Sequence, residues 1–331
     1  MFPSLVAPSS RFPKARVASP TTIAAAVGTL ALAGVLGAAG VANASTNFQW
    51  NGTTSSDFAT ASNWGGTAPT ENVLSNGGYL DVANGTAHAL DYTSAQGTTG
   101  FADDFLVGNN ANGSMNITGG TLDVNTGGAQ GLAIGNYSTG TLNMSGGTLN
   151  NEGGSYFEIG NGATGTINLS GGTITTSGSL NFSSGTSGSG VLNITGTGIF
   201  DVTGTIGTTF NGASGTTSYI TLGAGNGVFE QTGTNKITFD ATTGATSYIN
   251  FLSGSGGQLS LNGETQAAYD ALIASHNILV NSLAASPSDF QYTTVGSQDI
   301  LSLAIPEPAT LRLMSLGGLG ILLLGRKRKS A

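Results

Sequence analysis

The segment that decides the fold is Gly165-Thr-Ile-Asn-Leu-Ser-Gly-Gly-Thr-Ile174, because the chain repeats it. Three further copies align with it: Gly113-Ser-Met-Asn-Ile-Thr-Gly-Gly-Thr-Leu122, Gly140-Thr-Leu-Asn-Met-Ser-Gly-Gly-Thr-Leu149 and Gly190-Val-Leu-Asn-Ile-Thr-Gly-Thr-Gly-Ile199. The asparagines that they share, Asn116, Asn143, Asn168 and Asn193, are 27, 25 and 25 residues apart. A fixed period of this length is typical of architectures that stack one structural unit per repeat.

Each repeat has the period-two alternation of β-strands. Met115 and Ile117 point to one side and Asn116 points to the other. A second strand begins after the Gly-Gly turn, at Leu122, Leu149, Ile174 and Ile199. A third is marked by the apolar pairs Phe105/Val107, Leu132/Ile134, Phe157/Ile159 and Leu180/Phe182. Three short strands per repeat predict an all-β fold, a parallel β-solenoid (β-helix) with coils of about 25 residues.

The usual distance between neighbouring strands gives the expected length of the solenoid. Coils about 4.8 Å apart predict a stack of about 9 or 10 coils, roughly 45–50 Å long. The alternative architecture is an antiparallel sandwich, whose strands also recur every 8–12 residues or so. Hairpins between neighbouring repeats would identify the sandwich.

The chain divides into five regions by composition. They are 1–44, a signal peptide; 45–104, an N-terminal capping and strand region; 105–205, the clear repeat coils; 206–304, degenerate coils; and 305–331, a C-terminal signal segment. Within the degenerate coils, residues 265–275 are helix-compatible, so we expect one short helix that covers an end of the solenoid. At the other end, Trp50 and Trp64 either pack as a cap or stack on sugar rings, and capping is favoured.

Positive charge is concentrated at the two ends of the chain. Nine Lys and Arg residues are present, and between Ser45 and Ile305 only Lys236 is basic. The same stretch holds 16 acids, so its formal charge is 1 − 16 = −15. A nucleic-acid partner is therefore not expected, because binding needs basic residues that neutralise phosphates. The absence of cysteine from the sequence excludes disulfides and thiolate metal sites.

The N-terminal region has the three parts of a secretory signal. Basic residues, Arg11, Lys14 and Arg16, precede an uncharged apolar run from Ile23 to Val41. Ala42 and Ala44 then give the small-x-small cleavage pattern, so the Sec export machinery is an expected partner and the mature chain begins near Ser45. An uncleaved membrane anchor is the alternative.

The C-terminal region has an equally ordered pattern. Pro306, Glu307 and Pro308 precede an apolar stretch, 309–325, for which we expect a transmembrane helix. Four basic residues follow this stretch: Arg326, Lys327, Arg328 and Lys329. By the positive-inside rule this cluster stays cytoplasmic while the helix enters the bilayer during export.

This order resembles the PEP-CTERM sorting signal of Gram-negative bacteria. The resemblance implies an exosortase-type membrane protease as partner, transient inner-membrane anchoring, and delivery to the cell surface or the exopolysaccharide matrix, with extracellular polysaccharide as a further partner. Arg312 departs from the pattern, because it leaves only Leu313 to Gly325 free of charge, about 20 Å of helix. A plain C-terminal membrane anchor is the alternative. The Gly-Gly-Thr-Leu repeats, with Phe48–Gly52 and Ala61–Trp64, also resemble secreted bacterial proteins with autotransporter-type β-strand repeats.

The repeated polar positions predict columns of like residues along the solenoid. The Asn-x-Ser/Thr sequences at the four shared asparagines match glycosylation acceptors, but their recurrence once per coil favours a hydrogen-bonded asparagine ladder. Threonine and serine form two further columns: Thr121, Thr148, Thr173 and Thr118, Ser145, Ser170. A flat threonine ladder is the device of ice-binding solenoids, so ice binding is a minor alternative.

Few residues are candidates for chemistry. Asp103 and Asp104 form the one adjacent carboxylate pair, but neighbours on a strand point to opposite faces. His88 and His276 are the only histidines and have no metal-ligand spacing, so we expect no catalytic residues, metal or other cofactor. The prediction is a non-enzymatic exported surface or matrix protein. The alternatives are a glycan- or ice-binding module and, third, a polysaccharide-degrading β-helix enzyme.

Overall fold

The computed structural model describes residues 48–69, 80–85, 87–101, 104–124, 131–153, 156–185, 187–234, 236–239 and 244–304. The predicted signal peptide, 1–44, and the C-terminal signal segment, 305–331, lie outside the described residues. Within the described ranges, no helix has both the length and the apolar character to cross a membrane.

The described chain winds into a parallel β-solenoid whose coils have three faces. Face one is a sheet of eight parallel three-residue strands, each paired with the strand of the next coil. Its strands are Phe48–Trp50, Leu80–Val82, Phe105–Val107, Leu132–Ile134, Phe157–Ile159, Leu180–Phe182, Thr208–Phe210 and Ile237–Phe239. All pairs hold the same register, so inward residues lie directly above inward residues; these are apolar except for the buried Thr208, which lies between Leu180 and Ile237.

Faces two and three belong to one larger sheet. Face two contains Leu90–Tyr92, Gly113–Ile117, Gly190–Gly196, Thr217–Gly225, Thr246–Phe251 and Ile278–Val280. Face three contains Thr98–Phe101, Thr121–Val124, Ile199–Val202, Val228–Gln231 and Gln258–Asn262. In two central coils a single bent strand serves both faces: Gly140–Asn151 and Gly165–Thr176. The expected Gly-Gly turn is there a bend within a strand, because Thr148 N–H still donates to the Gly120 carbonyl below it.

The parallel ladders confirm the solenoid and exclude the sandwich, but the expected 9 or 10 coils are too many. The stack has about seven turns. Later coils are longer than the clear repeats, since Tyr219 pairs with Tyr248 and Ile249 with Ile278, 29 residues apart in each case. The last strands also leave the parallel stack. The eight strands of face one are separated by seven intervals of about 4.8 Å, so this face is about 34 Å long.

The core is one continuous column of inward side chains. Phenylalanines stack on each other in consecutive coils, with ring centroids 4.5 Å apart for Phe182 and Phe210 and 4.8 Å apart for Phe210 and Phe239. A second pair, Phe200 and Phe229, stacks at 5.9 Å. Offset stacking of this kind adds about 0.5–1.5 kcal/mol per pair beyond area burial.

An aromatic cluster closes the N-terminal end of the core, as predicted for the two tryptophans. Trp50 is fully buried and Trp64 is 7 % exposed. The Trp64 ring packs edge-on against Trp50 and Phe58, at centroid distances of 5.0 and 5.2 Å. Its Nε1–H donates to the Phe58 carbonyl at 2.6 Å, so the polar atom of this buried ring is also satisfied.

The C-terminal end is closed by a helix and antiparallel strands. The predicted helix spans Gln266–Ala274, with the Thr265 side chain capping its N-terminus, and it buries Tyr269 and Ile273. It follows Gln258–Asn262 at the point where earlier coils return to face one. Three further strands then run antiparallel to their neighbours, namely Leu283–Ala284, Phe290–Val295 and Gln298–Leu303.

Replacing Gly147 by alanine tests whether coil stacking dictates the glycines of the bend. Gly147 has φ +80°, and a Cβ there would lie 2.7 Å from the Gly119 carbonyl carbon and the Gly120 oxygen of the coil below. We expect Gly147→Ala to lower the free energy of unfolding by about 2–5 kcal/mol, from left-handed strain plus overpacking. Urea unfolding followed by circular dichroism measures this loss.

Gly215 supplies the matched control. It has φ +83°, but a Cβ there would meet nothing within 4 Å. Gly215→Ala therefore keeps only the left-handed strain, about 1–2 kcal/mol. Equal losses in the two variants would contradict a role for coil-to-coil contact.

Candidate binding surface

A ladder of side-chain amides runs along the outward side of face two, as predicted. The Nδ2 of each asparagine donates to the Oδ1 of its counterpart in the preceding coil. The distances are 2.9 Å for Asn143 to Asn116, 2.8 Å for Asn168 to Asn143 and 2.9 Å for Asn193 to Asn168. These amide nitrogens are engaged in coil-to-coil bonds, which accounts for their recurrence without glycosylation.

Two more ladders were not predicted from the sequence. Beyond face one, Asn136 donates to Asn109 at 3.0 Å and Asn161 to Asn136 at 2.9 Å. On face three, Asn150 donates to Asp123 at 2.8 Å. The signal was present, because Asn109, Asn136 and Asn161 follow a repeated apolar-Gly pair with the same spacing of 27 and 25 residues.

Carboxylates stand at the N-terminal end of these ladders. Asn116 donates to Asp91 at 2.7 Å, and Asp81 accepts at 2.7 Å from Asn110, the residue that follows the ladder member Asn109. Every amide in a ladder donates toward the N-terminal end, so the terminal member needs only to accept. A carboxylate accepts and cannot donate, and its charge strengthens the bond.

A shallow uncharged hollow of about 300 Å³ follows the face-two ladder. Six of its lining residues carry amide or hydroxyl groups: Asn116, Thr118, Asn143, Ser145, Asn168 and Ser170. The threonine column beside it exists, since Thr98, Thr121, Thr148 and Thr173 lie in register. Ile199 ends that column in the next coil. The threonine column on which ice binding would depend therefore contains four residues.

Three half-buried carboxylates lie on the solenoid: Asp201 and Glu230 on face three and Glu158 on face one. Burial raises the pKa of Asp201, although Thr232 donates to its Oδ1 at 2.9 Å. Burial also raises the pKa of Glu230, and the Asp201 charge one coil below raises it further. Glu158, on face one, has its pKa raised by burial while the Ser184 hydroxyl opposes the shift. Folding therefore favours the protonated forms of these three groups.

The two histidines are not brought together. Asp104 accepts a bond from the Gly131 N–H at 2.9 Å, and Asp103 lies outside the described residues. His88 and His276 are exposed and belong to opposite ends of the solenoid. Among the described residues, no group of three or more histidine, aspartate or glutamate side chains is arranged to hold a metal ion. The single base, Lys236, pairs with buried Glu264 at 3.0 Å.

The signal residues cannot be placed on this surface. Ala42 and Ala44, the Pro306-Glu307-Pro308 motif, and Arg326, Lys327, Arg328 and Lys329 all lie outside the described residues. No protein-family model, curated protein or solved structure matches the chain.

Two separate substitutions, one inside the face-two ladder and one at its end, test the direction of its hydrogen bonds. Asn143→Asp removes the donor to Asn116 and sets two acceptor oxygens against each other. We expect it to cost about 1–3 kcal/mol in urea unfolding at pH 7, the range for a half-buried polar group left unsatisfied. Asp91→Asn keeps an acceptor where only an acceptor is needed, so its cost should stay below about 1 kcal/mol. A larger loss in the Asp91 variant would contradict the ladder's polarity.

The half-buried carboxylates predict how stability depends on pH. Raised pKa values mean that the folded chain binds protons more tightly than the unfolded chain. The stabilisation is complete below the ordinary values of 3.8 for Asp and 4.5 for Glu and is lost as pH rises through the raised values. The melting temperature should therefore be higher near pH 4.5 than at pH 8.

Glu158→Gln should flatten this dependence, because glutamine does not titrate and can still bond Ser184. Glu152, which is exposed, gives the matched control Glu152→Gln, whose melting curve should keep the wild-type slope. Melting followed by circular dichroism at several pH values decides the matter. A wild-type melting temperature that climbs from pH 4.5 to pH 8 would contradict the assignment.

Proposed function

We propose that this protein is a non-enzymatic component of the cell surface or exopolysaccharide matrix of a Gram-negative bacterium, exported and then sorted by its C-terminal segment. The observation that carries the proposal is a rigid repeat body placed between two export sequences. The body is a solenoid with both ends of its core closed, and its charge is supplied almost entirely by acids. Residues 1–44 and 305–331 carry the signal patterns.

The use of polar side chains supports a structural role. In the three ladders, amide groups bond to the next coil instead of converging on one point. Convergence of an acid, a base and a nucleophile is what catalysis needs. A surface of this kind resists unwinding and presents hydroxyl and amide groups over several coils, as suits a component of a hydrated matrix.

The partners follow from the terminal sequences and from charge. The Sec machinery would translocate the chain, and an exosortase-type protease would act at Pro306-Glu307-Pro308 while Arg326 to Lys329 remain cytoplasmic. The body, at a formal −15 between Ser45 and Ile305, would repel uronate polymers and anionic lipid. The compatible matrix component is a neutral polysaccharide.

Intact-mass analysis of the protein recovered from its native host tests the sorting step. We expect a dominant species that begins near Ser45 and ends near the Pro-Glu-Pro motif. The double variant Pro306→Ala/Pro308→Ala should retain the tail, because alanine lets the apolar helix extend over the motif. Pro287→Ala, which changes a proline of the solenoid body, is the matched control and should be processed normally.

Cell fractionation completes the test. Tagged protein should reach the surface or matrix in wild-type cells and accumulate in the inner membrane of cells without the sorting protease. A dominant wild-type species that still contains Leu313–Ala331 would make the segment a plain anchor. Hydrolysis of neutral polysaccharide by the purified protein would overturn the non-enzymatic assignment.

A further inference from the structure

A cavity of about 780 Å³ lies at the C-terminal end of the solenoid. One wall is the loop Ser253–Gly256, which joins faces two and three of the last full coil. The opposite wall is the antiparallel pair Phe290–Val295 and Gln298–Leu303, together with the short 3₁₀ turn before it. The volume falls within the range of about 300–1,000 Å³ that is usual for small-ligand sites.

Three carboxamide side chains of this cavity are uncommitted. Asn226, Gln258 and Gln291 line it with carboxamides, and none of the three side chains bonds to another described residue. Asp289 uses one carboxylate oxygen to accept from the Ser286 N–H at 2.7 Å, and its other oxygen has no such bond within the described chain. In the ladders, by contrast, the same amide chemistry is consumed by the neighbouring coil.

Apolar contact is available beside these groups. Val280 and Leu303 line the cavity and are both partly exposed. A pyranose ring presents a face of C–H groups and a rim of hydroxyls, each of which both donates and accepts. Carboxamides also donate and accept, and a carboxylate oxygen accepts from hydroxyls.

Charge selects among saccharides. The lining contains no lysine or arginine, and the body's one base, Lys236, is paired with Glu264 at 3.0 Å. A uronate or sulfated sugar would place its charge near Asp289 with nothing to neutralise it. A neutral sugar meets no such penalty.

We propose that this cavity is a binding site for a neutral saccharide unit of an extracellular polysaccharide. The cavity and its free amides are independent of export, whereas the choice of an extracellular polymer rests on the proposed function. The lining extends to Ala304, the last described residue before the C-terminal signal segment in the sequence.

Titration of the full-length chain, in a detergent without sugar head groups, tests the site. The probes are three neutral trisaccharides, cellotriose, maltotriose and mannotriose, with trigalacturonate as the charged comparison. We expect millimolar binding of at least one neutral probe by isothermal calorimetry and none of trigalacturonate. Gln258→Ala and Gln291→Ala should each weaken that binding about three- to tenfold, the loss of one hydrogen bond. Gln49→Ala is the matched control, at an exposed position on the opposite end, and should bind as wild type.

The site is overturned if no neutral probe binds at 10 mM or so, if trigalacturonate binds equally well, or if both cavity variants bind like wild type. The outcome is separate from that of the sorting experiment, since the titration uses the unprocessed chain. Saccharide binding by a protein that is never exported would refute the proposed function and leave the site standing. Export without saccharide binding would refute the site alone.

Discussion

Parallel, in-register stacking at one strand spacing is the constraint on which the rest of the structure depends. Each residue lies about 4.8 Å above its counterpart in the previous coil, so every position must tolerate contact with its own kind. Phenylalanine rings and asparagine amides satisfy the rule because each is attracted to a copy of itself. Glycine satisfies it at the bend, where Gly147 passes too close to Gly119 and Gly120 for any side chain.

The same constraint makes charge expensive. A carboxylate stacked on a carboxylate is repelled, as the raised pKa of Glu230 above Asp201 reflects. Acids are tolerated best at the end of a ladder, where Asp91 only has to accept a bond from Asn116. The solenoid therefore combines few charges with many amides and hydroxyls, and this uncharged polar surface is what makes a neutral, hydroxyl-rich partner compatible with it.

Self-contact also explains what the sequence could reveal. Wherever a residue stacks on a residue of the same type in the next coil, the coil length appears as a repeat in the sequence. The three faces, the face-two ladder and the direction of strand pairing were therefore predictable. The later coils differ from the repeat in sequence and length, as the 29-residue coil from Tyr219 to Tyr248 shows, so the number of turns could not be predicted from the period. The antiparallel strands Phe290–Val295 and Gln298–Leu303 do not stack on copies of themselves, so no sequence repeat predicts how they pair. The cavity that they enclose was for that reason invisible to sequence reasoning.

The location of that cavity follows from the stacking rule itself. Between two parallel coils one strand spacing apart there is no room for a ligand, because each coil covers the one below it at van der Waals distance. The larger cavity lies where parallel stacking ends, whereas the hollow of about 300 Å³ follows the outward side of face two. The N-terminal end does not break the stacking rule, since Trp50, Trp64 and Phe58 fill the core in close contact. At the C-terminal end a helix and a hairpin replace parallel coils, and there Gln258 lies in register with Val228 and Ser302 and meets no matching amide. The change from parallel coils to a helix and a hairpin thus both ends the solenoid and leaves the carboxamides of the cavity available to bind a partner.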